Sequence, residues 1–259
     1  MERNYGLIFT LCIGLFFLIG FILVRTIKDK KKLTYFSTGM AFIVMIGMLI
    51  FDLIPEIIEL NSDELLNKNF SVALSAGFII LGIVLLKCLD IVLPHHQHNH
   101  NEHESKHEHE EHTTHVGLMT SISLVIHNII EGMSIFIITC ENIMTGFMAT
   151  VAVGMHNIPL GIEIASNTEK SKKSIADYII LGLLLLSSSI GALIIYLSGI
   201  EIPEVIELIL LSISCGMIIF ISLFELLPEI KNYSKERQMY YGIITGIVLV
   251  ILMILLKQE

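Results

Sequence analysis

Eight apolar runs dominate this chain, at 5–24, 35–60, 70–93, 116–140, 143–166, 175–199, 205–230 and 239–256. An α-helix needs about 20 apolar residues to cross a bilayer, and each run comes close to that or exceeds it. Hydrophobic residues make up 54% of the chain and its mean hydropathy is +0.76, more apolar surface than a water-soluble core can bury. Inside a bilayer the backbone has no water to bond. A spanning segment must satisfy its own amides, as a helix does. The expected fold is therefore an all-α, polytopic membrane protein with eight transmembrane helices. Residues 1–93 hold spans 1–3, 94–115 form a linker, and 116–259 hold spans 4–8, in one membrane domain. The first run lacks a small-residue cleavage site and reads as a retained span, not a signal peptide.

Lysine and arginine set the orientation, because they accumulate in cytoplasmic loops. Arg25, Lys28, Lys30, Lys31, Lys32, Lys106, Lys170, Lys172, Lys173, Lys231, Lys235 and Arg237 follow spans 1, 3, 5 and 7. Only Arg3, Lys68 and Lys257 fall on the other side, with Lys87 inside span 3. The bias puts both termini outside and the loops after spans 1, 3, 5 and 7 in the cytoplasm. The membrane expected is the plasma membrane.

Two near-copies of one polar motif interrupt the apolar pattern. His127-Asn128-Ile129-Ile130-Glu131-Gly132 lies in span 4, and His156-Asn157-Ile158-Pro159-Leu160-Gly161 in span 5. A carboxylate at membrane depth costs roughly 3 kcal/mol on insertion scales, so such residues mark a functional site by default. His127 and Glu131 are four apart and share a helical face. Pro159 removes a backbone donor and is expected to kink or open its helix near the Met155 carbonyl. Imidazole with carboxylate suits zinc, iron, manganese, cobalt or nickel better than alkali ions. His127, Glu131 and His156 are the expected ligands. Asn128 and Asn157 offer amide oxygens or orient a neighbour. A lone membrane histidine more often bonds a backbone carbonyl. Two in matched motifs argue against that. Gly132, Gly154 and Gly161 read as close helix-packing positions.

A second repeat joins spans 2 and 7. Phe51-Asp52-Leu53-Ile54-Pro55-Glu56-Ile57 matches Phe224-Glu225-Leu226-Leu227-Pro228-Glu229-Ile230 as Phe, acid, Leu, aliphatic, Pro, Glu, Ile. The two spans run in opposite directions, so one copy lies near each surface. Inverted repeats with proline-broken helices are a mark of secondary transporters. Spans 1–3 are expected to mirror spans 6–8 around spans 4 and 5. Asp52 and Glu56 then form an outer waiting position for a cation, and Glu225 and Glu229 an inner one. Met48 shares a helical face with Met45 and Asp52, although methionine is usually a gap-filler. Glu163 lies seven residues after His156, nearer the cytoplasm.

The linker holds nine of the eleven histidines: His95, His96, His98, His100, His103, His107, His109, His112 and His115. Its Glu- and His-rich composition cannot bury apolar surface, so a disordered, weakly metal-binding tether is expected. His103-Glu104-Ser105-Lys106-His107 fits HExxH, but a protease needs that motif on an ordered helix beside a cleft. Cys12, Cys88, Cys140 and Cys215 are scattered in apolar runs without a CxxC, which points to packing rather than disulfides or thiolate zinc. The net charge of −9 is not a nucleic-acid signature, and no nucleic-acid partner is expected. The expected partners are the lipid bilayer, divalent ions and, for assembly, a second copy in a homodimer.

The two central motifs, the His-rich loop between spans 3 and 4 and the eight-span layout resemble the ZIP family of divalent-metal transporters, over essentially the whole chain. The resemblance implies metal uptake into the cytosol through a site, often of two metals, between spans 4 and 5. No cofactor is implied; the metal, zinc first, is cargo. His127, Asn128 and Glu131 match the family's span-4 ligands, and His156 and Asn157 its span-5 ligands. Three departures follow. Ile130 stands where members usually have Pro. Leu160 stands where they have a ligand Glu. Ser187-Ser188-Ser189-Ile190 precede Gly191-Ala192 where a span-6 Glu is common. Two missing carboxylates imply one metal, or a weaker second one. The competing readings are an intramembrane metal-dependent hydrolase, which lacks a spare general base, and a membrane metal sensor with the loop as detector.

Overall fold

The computed structural model describes residues 2–61, 68–92, 105–168, 175–199 and 203–257. Eight helices among them are long and apolar enough to cross a membrane. They are α1 (Glu2–Thr26), α2 (Lys30–Met48, continuing through Leu49–Leu53 and Ile54–Leu60), α3 (Lys68–Val92) and α4 (Ser105–Glu141). The second four are α5 (Ile143–Thr168), α6 (Ile175–Ser198), α7 (Glu204–Phe220, continuing through Ile221–Leu226 and Leu227–Asn232) and α8 (Arg237–Lys257). The all-α, eight-span expectation holds.

Three local features differ from or refine the sequence reading. Helix α4 starts at Ser105, so His107, His109, His112 and His115 lie on helical backbone instead of in an unstructured tether. Glutamate is a good helix former, and the apolar span beneath supplies a nucleus to extend. His95, His96, His98, His100 and His103 lie outside the described residues. Pro159 sits inside α5 without ending it. At Pro55 and Pro228 the helices instead widen into π-turns, Leu49–Leu53 and Ile221–Leu226. A proline ring collides with the carbonyl four residues back and leaves it without its donor. A wider turn absorbs that conflict, and π-turns of this kind recur at functional sites. Asp52 and Glu225 ride on these two turns.

Helices α4 and α5 are joined at Asn142 alone. Its side-chain oxygen accepts from Met144 N at 2.9 Å and Thr145 N at 3.1 Å, capping α5. His127 lies fifteen residues before this turn and His156 fourteen after it. At about 1.5 Å per residue, both motifs lie about 20 Å from the turn and face each other at one depth. The two motif glycines then admit neighbouring helices. A Cβ on Gly161 would sit 2.6 Å from the Phe17 carbonyl oxygen of α1, and one on Gly132 would overlap the Ser188 carbonyl of α6. Helix α1 packs along α5 and α6 along α4, while α2 packs with α8 and α3 with α7. The site lies where α2 and α7 meet the α4–α5 pair.

Candidate metal centre

Within this frame one ligand atom each from His127, Glu131 and His156 falls within 4.8 Å of the others, and all three residues are buried. Glu131 Oε1 lies 3.9 Å from His127 Nε2 and 3.5 Å from His156 Nε2. The two imidazole centroids are 6.5 Å apart. Neither Glu131 oxygen, nor His127 Nε2, nor either His156 nitrogen makes a hydrogen bond. Asn128 and Asn157 are fully buried, and their amide atoms are likewise without hydrogen-bond partners. An unsatisfied buried polar group costs about 1–3 kcal/mol, more when charged. So many in one place is a large standing cost that a bound cation would relieve. Lone pairs converging at this spacing are what a dication of this class requires.

The exception is His127 Nδ1, which is 2.9 Å from Ser214 Oγ of α7. Sequence reasoning missed Ser214. Its only signal was a hydroxyl placed mid-run in an apolar span.

A cavity of about 530 Å³ leads to the cluster from the side of the α4–α5 turn. His127 and Glu131 line it, with Asp52 and Glu56 from α2 and Met144 and Thr145 from α5. Asp52 also borders a small void of about 40 Å³ beside His156. Glu59, one turn beyond Glu56, lines the large cavity too and was not foreseen. Met48 is fully buried in the main apolar core, as a gap-filler would be, and does not line the cavity.

The opposite half is packed. Glu163, Glu225 and Glu229 are buried and border neither void. Thr38 of α2 donates to Glu163 Oε1 at 3.2 Å, and Ser37 and Ser166 hydroxyls meet at 3.1 Å. The Tyr233 and Tyr35 rings lie 4.5 Å apart between centroids, tilted by 51°. Burial first, then the Glu229 and Glu163 carboxylates, hold the Tyr233 phenol well above its ordinary range.

The three departures are apolar or weakly polar in place. Leu160 is wholly buried in the main core, and Ile130 joins the same cluster. Ser187 bonds its own helix at the Leu184 carbonyl, and the Ser188 and Ser189 hydroxyls make no hydrogen bond.

The family model described as ZIP zinc transporter matches residues 92–254. A zinc transporter ZupT of Neisseria meningitidis serogroup B is 28% identical over 253 residues, covering 93% of this chain and 91% of that protein. Its namesake from Streptococcus mutans serotype c is 28% identical over 264 residues, with 96% of both chains covered. One from Escherichia coli O7:K1 is 25% identical over 243 residues, covering 93% and 92%. These relatives are named as transporters, not enzymes. With a family match over most of its length, eight apolar helices and a buried His/Glu cluster between α4 and α5, this chain belongs to the ZIP zinc transporter family.

Proposed function

We propose that the protein carries a divalent transition metal, zinc first, into the cytoplasm through the site formed by His127, Glu131 and His156. The observation that carries this reading is the convergence of three buried, unbonded ligand atoms within 4.8 Å beside a cavity open to one side. Asn128 and Asn157 are further donors to the same ion. Asp52 and Glu56 line the approach and would attract and partly dehydrate a cation before the buried ligands take it. Glu163, Glu225 and Glu229 would serve its departure on the other side, once the Thr38–Glu163 and Ser37–Ser166 contacts open. The lysine and arginine bias makes the cavity side external and the packed side cytoplasmic. Iron, manganese, cobalt and cadmium are compatible with the same donors.

Among the described residues Glu131 is the one carboxylate in the central cluster, so we read it as a one-metal site. The chain also reads as an inverted repeat, α1–α3 against α6–α8. Two observations support this: the matched Pro motifs both carry π-turns, and exchanging the two halves turns the α2–α8 pair into α7–α3 and α1–α5 into α6–α4. Zinc uptake into proteoliposomes tests the function. Flux that requires His127 and Glu131 supports it, and metal binding without flux would favour a sensor.

A further inference from the structure

We infer that Ser214 is a positioning residue for His127, and that it fixes which ring nitrogen meets the metal. This rests on the proposed ligand role of His127. The contact is specific in three ways. It joins α4 to α7, residues 87 apart in the chain, at 2.9 Å. Both partners are shut off from water, with His127 2% exposed and Ser214 1%. It uses Nδ1 and leaves Nε2 facing Glu131 Oε1 at 3.9 Å.

A metal-bound imidazole is neutral, with one nitrogen on the ion and the proton on the other. With Nδ1 held against a hydroxyl that accepts, the proton sits on Nδ1 and donates to Ser214 Oγ. The Nε2 lone pair then points at the space shared with Glu131 and His156. No proton is gained or lost by the site in this arrangement. The hydrogen bond stops the ring from flipping and raises the basicity of Nε2 as a ligand.

His156 supplies an internal contrast, because neither of its nitrogens has a hydrogen-bond partner in the structure. A second contrast lies on α7 itself. Ser212 is fully buried two residues away, but its hydroxyl is unbonded. Burial of a serine on α7 is therefore not enough; the register at position 214 is what reaches the ring. Because the bond crosses from α4 to α7, ring orientation depends on those helices staying docked. A movement that separates them would free His127 and weaken the site.

The test is zinc titration of the purified full-length protein, with four variants. Ser214→Ala is expected to weaken zinc binding about 10–100-fold, the usual effect of losing an outer-shell partner. Ser214→Thr keeps the hydroxyl and is expected to restore most of the affinity. Ser212→Ala is expected to bind as the unmodified protein does. His127→Gln tests the underlying reading: if it binds zinc normally, the ligand assignment itself fails. If His127→Gln loses binding while Ser214→Ala retains it in full, the assignment stands and the positioning role is overturned. Should Ser214→Ala fail to fold, nitrogen-15 NMR of the unmodified zinc-bound protein decides. The His127 signals are identified by their loss in His127→Gln. A protonated Nδ1 with a metal-bound Nε2 is expected. The reverse tautomer would overturn the inference.

Discussion

The two central motifs begin alike and end differently. On α4, His127 is held by Ser214 and followed one turn later by Glu131, which faces both histidines. On α5, His156 has no hydrogen bond, and the position one turn later is Leu160, sealed in the core. Among the described residues, the α4 half supplies an oriented ring and the cluster's one carboxylate; the α5 half supplies a second ring. Charge and positioning are thus concentrated on one helix. A site built this way neutralises one unit of a dication's charge, which favours one ion over a closely spaced pair.

The largest expected effect comes from erasing the α4 half. Glu131→Ala or His127→Ala should reduce proteoliposome zinc flux to background while the protein still inserts and folds. His156→Ala should fall nearly as far. Near-normal uptake by both α4 variants would remove the site from the pathway.

Next comes making the halves alike. Leu160→Glu adds a carboxylate where α5 lacks one. A unit-charge pair about 4 Å apart is worth about 4 kcal/mol at an effective dielectric of 20, and burial of the new carboxylate consumes much of that. An affinity gain of about tenfold, 1.4 kcal/mol, is the expected remainder. It should come with lower stability of the metal-free protein, because the added charge is then unpaired. Isothermal titration and thermal melting with and without zinc measure both. A variant that binds no tighter would show that position 160 does not face the ion.

A smaller effect is expected at the packed side. Thr38→Val removes the donor to Glu163, and a typical net hydrogen bond is worth about 1 kcal/mol. Amides 34–38 and 162–166 should exchange with deuterium about fivefold faster, in line with that energy. Unchanged exchange would mean that this bond does not hold the inner side closed. The smallest effect belongs to the His-rich segment. Deleting His95 to His112 should alter apparent affinity or regulation and leave substantial flux. Complete loss in a well-inserted protein would place the segment in the path.

Much of this was legible because bilayer physics is restrictive. Run length and hydropathy alone located all eight helices, including α2 and α7 with their prolines. The His127–Glu131 face followed from helical spacing. Its approach to His156 follows from the one-residue connection at Asn142, which puts the motifs at equal distance from the turn. What was not legible depends on rotation between helices. Ser214 is one of several serines in apolar runs, and only the register of α7 against α4 selects it. Glu59 is legible by spacing: it lies three residues after Glu56 and seven after Asp52, so one helical face carries all three to the cavity. The π-turn at Leu49–Leu53 lies between Met48, buried in the core, and Asp52 at the cavity, although regular helical spacing groups them. Composition alone hides the helix over Ser105–His115, because that segment is helical by extension from the adjoining apolar span.

The most direct test is zinc anomalous diffraction on crystals of the unmodified protein. One strong central peak is expected, bounded by His127 Nε2, Glu131 and His156, with weaker peaks only toward Asp52 and Glu56 or toward Glu163. Two fully occupied central peaks, or a single peak away from these three residues, would contradict it.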